Sequence, residues 1–246
     1  MPTDIDDVLH DLIDEYDRLD GILRGLTEAQ WTSPSDAPGW TIADVVTHLA
    51  QSEEGVVTSI AAPRAGWTTR TEALDDVMAT RVRSEATTPS ETFARWRAAS
   101  RGSLTALRAA DPLRHVPWAA APLRPRTLAT TRLAEHWAHG LDITGALEIE
   151  FPDADRLRHV AWLGHATLPY AMRLEGLDPQ PVFCALTTPS GAIVNFGPSD
   201  ASSTITGSLG TFCRVGARRL VPAESGLVTV GPHAEVALRV LRNYAA

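Results

Sequence analysis

Two segments far apart in the chain carry side chains that could meet around one chemistry. The later one, TTRLAEHWAHGLDI, sets Glu135 four positions before His139. On a helix that spacing puts both on one face, about one turn or roughly 6 Å apart along the axis. A carboxylate and an imidazole so placed can grip one cation. The earlier segment, APGWTIADVVTHLAQSEE, holds His48 at the flank of an apolar stripe made by Ile42, Val45, Val46 and Leu49. It therefore points toward neighbouring helices and is the best candidate for a third ligand. A His₂Glu set leaves coordination positions open, which is the habit of catalytic rather than structural metal sites. Two nitrogens and one oxygen suit zinc first, and also accept nickel or ferrous iron.

Spacing alone supports a plainer reading as well. On a helical wheel Leu133, Ala134, Trp137 and Leu141 share one side, while Arg132, Glu135, His139 and Asp142 gather nearly opposite. That is also what a solvated polar face looks like. His136 and His139, at i and i+3, form a competing ligand pair. His10, His115, His159, His165 and His233 show no pairing at ligand spacing and read as structural or exposed. Arg132, one turn before Glu135, can act on an anionic substrate or cofactor carboxylate, or be a surface arginine. Asp142, three residues past His139, can accept from the free ring nitrogen of that histidine, or simply cap or face solvent. Trp118 and Trp40 could wall a pocket, with core packing the simpler role for Trp40.

The elements that must position these groups follow from periodicity. Ile5, Val8, Leu9, Leu12, Ile13, Tyr16, Leu19, Ile22 and Leu23 recur at helical spacing, with Thr3 and Asp6 as a capping pair. The turn-rich WTSPSDAPGW at 31–40 leads to a helix opened by Thr41 with Asp44. A third helix is expected near 70–86. A fourth starts at Thr88, with Pro89 at its first position and Glu91 closing a capping box, and runs to about 110. A Pro-rich loop, 111–126, contains Trp118. The fifth helix covers 127–147. Beyond FPDAD at 151–155 the texture changes. A helix near 154–175 ends at Gly176, strand-like runs fall at 182–187, 192–196 and 203–206, and a helix follows at 208–219. A short strand, GLVTV, and a closing helix at 232–244 complete the chain. The fold class is mostly α: an N-terminal up-and-down helical bundle over residues 1–150, then a smaller α+β domain over 151–246.

Composition bounds the function. With 246 residues, 44% hydrophobic and 21% charged, the chain is long enough for such cores. A net charge of −8 argues against a nucleic-acid surface. All 22 basic residues are arginine, so neither a lysine Schiff base nor a P-loop lysine can operate. Cys184 and Cys213 read as reduced, buried thiols, and Cys213 has no neighbouring base in the sequence. The acidic, amphipathic N-terminus is the opposite of a signal peptide, and no run reaches the roughly 18–20 apolar residues of a membrane span. The expectation is a cytoplasmic protein, monomer or homodimer, acting on a small molecule, with no nucleic-acid or membrane partner. The acids of the first helix, Asp6, Asp7, Asp11, Asp14 and Glu15, lie in no calcium-binding loop and read as a solvated face.

The segments GLTEAQWTSPSDAPGWTIADVVTHLA and TTRLAEHWAHGLDI resemble the two signature regions of the DinB-like metalloenzymes. They are closest to the actinobacterial branch around mycothiol-dependent maleylpyruvate isomerase. The tail ITGSLGTFCRVGARRL…GLVTVGPHAEVALRVL resembles that branch's C-terminal α+β domain. The resemblance implies a divalent metal, usually zinc, held by a histidine of the second helix and by an E-x-x-x-H turn. By position these are His48, Glu135 and His139. It implies that the polar stripe faces the crevice between the two domains instead of bulk water. Arg218 falls near where the isomerases place an arginine of their C-terminal domain, so the resemblance assigns it to cofactor binding.

A metal with an open position can lower the pKa of bound water or hold a thiol as thiolate. The resemblance points to the second: an isomerase or thiol S-transferase using mycothiol. A thiol-independent metal hydrolase, lyase or cyclase of secondary metabolism would use the same three ligands. A non-catalytic, metal-stabilised binding module is the alternative from a different class.

Overall fold

Leucine and valine at helical spacing build α1 (Ile5–Arg24), which buries Val8, Leu9, Leu12, Leu19 and Leu23. The computed structural model describes residues 5–62, 74–118 and 121–243. It divides into two units, Met1–Phe151 and Pro152–Ala245. In the first, Thr27 and Gln30 form a capping box that starts the short helix α2 (Glu28–Trp31). Thr41 and Asp44 then cap α3 (Ile42–Ala61). The Thr41 hydroxyl accepts from the Asp44 N–H at 3.2 Å, and the Asp44 carboxylate accepts from the Thr41 N–H at 2.9 Å. Each such cap contributes about 1 kcal/mol. After α4 (Leu74–Ser84), the Thr88–Glu91 box and Pro89 open α5 (Pro89–Ala109). Last in the unit is α6 (Pro125–Ala146).

Four of these helices close a ring: α3 packs on α5, α5 on α1, α1 on α6, and α6 back on α3. Trp96 and Trp137 fill its centre with Leu12, Leu49, Leu107, Leu128 and Leu133, all essentially fully buried. Each such leucine contributes about 1.5–3 kcal/mol by leaving water. The ring fixes α3 and α6 side by side, and those two helices carry the candidate ligands. The sixth helix starts at Pro125, two residues before the sequence expectation, because proline suits the first helical position. Thr3 and residues 70–73, part of the expected capping pair and third helix, lie outside the described residues.

In the second unit α7 (Leu157–Leu174) ends at Gly176, whose φ of 70° only glycine adopts easily. The Leu177 N–H then reaches back to the Met172 carbonyl at 2.9 Å, closing the helix end. Strands β1 (Phe183–Thr187), β2 (Ile193–Phe196), β3 (Thr204–Ser208) and β4 (Val228–Val230) form a sheet in the order β2-β1-β3-β4. The β1–β3 pair is parallel, with Cys184 opposite Ile205, and the outer pairs are antiparallel. Helix α8 (Leu209–Gly216) packs on β1 and β3, and α9 (Ala234–Val240) on β3 and β4. The closing helix is shorter than 232–244 because the chain leaves it to bond α8. The Asn243 N–H donates to the Gly216 carbonyl at 3.1 Å, and its amide donates to that of Cys213 at 3.2 Å. Cys184 and Cys213 are buried free thiols, and burial pushes the Cys184 thiol up to about 12. The fold is thus mostly α, a helical bundle followed in sequence by a smaller α+β unit. Among the described residues, no helix is long and apolar enough to cross a membrane.

Candidate metal centre

On α3, Val45, Val46 and Leu49 are fully buried, and this anchoring leaves His48 turned toward α6. On α6, the apolar side of Leu133 and Trp137 is equally buried. The two helices bring His48, Glu135 and His139 together, with one ligand atom of each within 4.8 Å of the other two. The Nε2 of His48 lies 3.5 Å from Glu135 Oε2, and the Nε2 of His139 lies 3.7 Å from the same oxygen. Ligands about 2.0–2.1 Å from a tetrahedral ion sit about 3.3–3.4 Å apart, so a small contraction would accommodate zinc. The side chains are 12%, 26% and 13% exposed, which leaves the cluster shielded but reachable.

The electrostatics favour a ligand set. Burial pushes the His48 pKa below its ordinary value despite the attraction of Glu135, so the ring is neutral at pH 7 and keeps a lone pair. Burial opposes ionisation of Glu135. The His48 side chain, then Arg132 and His139, outweigh it and hold the carboxyl well below the usual range. The Nδ1 of His139 donates to the Asp142 carboxylate at 2.9 Å. That bond fixes the tautomer and turns the other nitrogen, Nε2, toward Glu135.

The sequence profile of the mycothiol maleylpyruvate isomerase N-terminal domain matches residues 12–144, which contain the whole cluster. An uncharacterized protein of Mycobacterium tuberculosis, found in strains CDC 1551 and H37Rv, is 35% identical over 243 residues. The alignment covers 96% of this chain and 94% of that protein. The chain belongs to the mycothiol maleylpyruvate isomerase N-terminal domain family. Among solved structures it is similar to mycothiol-dependent maleylpyruvate isomerase, with a TM-score of 0.61 at 16% identity. A histidine-to-alanine mutant of that isomerase gives 0.63 at 14%. Coverage is 93% of both chains in each case. At that identity the likeness is one of fold.

In this family member the polar stripe of α6 is not a solvated face: Arg132 is 3% and Asp142 2% exposed. Arg132 is therefore no surface arginine. Its guanidinium lies 4.7 Å from the centre of the Trp118 ring, its Nε is 3.5 Å from the Thr131 hydroxyl, and its buried Nη1 has no hydrogen-bond partner among the described residues. Trp118 is half-buried, with its ring also against α3 at Gly55.

The competing ligand pair fails on His136. That ring is fully buried and saturated. Its Nδ1 donates to the Arg132 carbonyl at 2.9 Å, and its Nε2 accepts from the Trp96 indole at 3.1 Å. Burial pushes its pKa down to about 3. Arg218 is exposed in the second unit, in a left-handed turn at φ 61° just past α8.

One residue near the site escaped the sequence reading, and the role of another was left open. Trp40, read as pocket wall or, more simply, core, is half-buried with its ring centre 5.1 Å from that of His48 and 6.2 Å from that of His139. Its proximity to His48 in the PGWT segment was the available signal. Glu53 is fully buried, with His136 Nδ1 3.6 Å from its carboxylate. Burial pushes its pKa up, against the pull of Arg132. In sequence Glu53 and Glu54 look like an ordinary exposed acidic pair, so nothing marked it.

Proposed function

We propose that this chain is a divalent-metal-dependent enzyme of isomerase or thiol S-transferase type that uses mycothiol. The observation that carries this reading is the convergence of His48, Glu135 and His139, from two helices, on one point. Family membership supports the thiol. The donor set fits the ion on its own chemistry: two imidazole nitrogens, one ionised carboxylate and, among the described residues, no fourth protein ligand, which suits zinc. The metal would hold the thiol as thiolate at neutral pH, and its addition to a conjugated double bond would permit rotation before the thiol leaves.

The chain's own residues have distinct tasks. His48, Glu135 and His139 would hold the ion, and three protein ligands would leave it open to a thiol. Asp142 keeps His139 in the tautomer whose Nε2 can coordinate. Arg132 presents an unspent donor for an anionic group of the electrophile, and Trp118, lying on the guanidinium, walls that side.

The test is turnover of maleylpyruvate by zinc-loaded protein, followed by absorbance with and without mycothiol. Isomerisation that needs both zinc and thiol is expected. Turnover undiminished without thiol would contradict the reading and favour a hydrolase or lyase.

A further inference from the structure

The two histidines of the candidate centre are held differently. His139 is oriented by Asp142, through a hydrogen bond of 2.9 Å. His48 has no such partner: its Nδ1 is buried and makes no hydrogen bond among the described residues. Metal-ligating imidazoles nearly always donate their second nitrogen to an acceptor, and that bond sets the ring's orientation. At His48 the orienting role must fall to packing.

The aromatic side chain that packs there is Trp40. Its ring centre is 5.1 Å from that of His48, tilted by 53°, and 6.2 Å from that of His139, nearly parallel at 21°. The two imidazoles themselves meet edge to face at 5.0 Å. One indole thus lies beside both imidazole rings.

Trp40 is itself firmly placed. Gly39, at φ 77°, turns the chain just before it. The Trp40 N–H donates to the Ala37 carbonyl at 3.1 Å, and its carbonyl accepts from the Ser35 N–H and hydroxyl, both at 2.9 Å. Thr41, next in sequence, caps α3. The same loop is latched to α6, because the Asp36 N–H donates to the Asp142 carbonyl at 2.9 Å. The loop therefore ties the start of α3 to the residue that orients His139.

We propose that Trp40 is a positioning residue of this centre, its indole doing for His48 what the hydrogen bond donated to Asp142 does for His139. This inference rests on the metal reading and adds to it a residue that contributes no ligand atom. A bulky flat ring is required, so phenylalanine should serve in part and alanine should not.

The test is zinc affinity, measured by competition with a chromophoric chelator, on wild type, Trp40→Phe and Trp40→Ala. Loss of an outer partner of a ligating histidine typically weakens binding about 10–100-fold. Trp40→Ala is expected in that range, and Trp40→Phe within about fivefold of wild type.

Equal losses in Trp40→Phe and Trp40→Ala would overturn the proposal, because the flat ring would then not be what holds His48. Zinc affinity of Trp40→Ala within twofold of wild type would overturn it alone. A wild-type chain that takes up no zinc would overturn the metal reading with it. Should Trp40→Ala fail to fold, Trp40→Leu, which keeps bulk and loses the flat ring, carries the comparison. Wild-type affinity in that variant would refute the role of the ring.

Discussion

The hydrogen bond from His139 to Asp142 offers a quantitative handle on the centre. At 2.9 Å, with the Asp142 side chain 3% exposed, it is a buried bond to a charged acceptor. Bonds of that kind contribute about 1.5–3 kcal/mol. Asp142→Ala leaves the Nδ1–H without its acceptor and frees the ring to turn. If the whole of that energy is felt by the coordinating nitrogen, zinc binding weakens about tenfold to a hundredfold. Asp142→Asn can keep an acceptor oxygen and loses only the charge. A neutral bond is about half as strong, so the loss should be about three- to tenfold. The order wild type, Asn, Ala should appear in zinc competition at pH 7.5, with far-UV circular dichroism showing that all three are folded. A folded Asp142→Ala protein that binds zinc within twofold of wild type would refute the reasoning, because His139 would then not depend on its partner for orientation.

Other expectations follow from neighbouring groups. His48→Ala should remain folded, with an unchanged circular dichroism spectrum, and be inactive; a variant that melts would favour a metal-stabilised binding module. Arg132 pulls Glu135 toward its charged form and would repel a bound cation, so Arg132→Met should tighten zinc binding while lowering kcat/KM for an anionic electrophile. Weaker zinc binding with unchanged turnover would contradict that assignment. His136 is neutral in the fold, with a pKa of about 3, and protonates near its ordinary 6.5 when unfolded. Between those values the unfolded chain binds the extra proton. Stability from this group is therefore lost as pH falls below about 6.5, by about 1.4 kcal/mol per pH unit. Urea midpoints between pH 7 and pH 5 should fall less steeply in His136→Asn, and an identical slope would sink the assignment.

What the sequence revealed was local. Thr41 with Asp44, and Thr88 with Pro89 and Glu91, announce helix starts because their partners lie three residues away. The apolar stripe of α3 placed His48 at its flank for the same reason. The character of α6 could not be read that way. A wheel separates Leu133 and Trp137 from Arg132 and Asp142, yet both sets are buried, because α1 and α3 cover different sides of the helix. His136 is disqualified as a ligand by Trp96, forty positions away on α5, and no spacing rule contains that contact. The parallel β1–β3 pairing was hidden likewise, since β2 intervenes in sequence but lies on the outer side of β1.

Elemental analysis of the purified chain beside its Glu135→Ala and His139→Ala variants tests the central claim most directly. The arrangement of His48, Glu135 and His139 predicts about one divalent ion per wild-type chain and almost none in either variant. Equal metal content in all three proteins, or none in wild type after incubation with zinc, would contradict it.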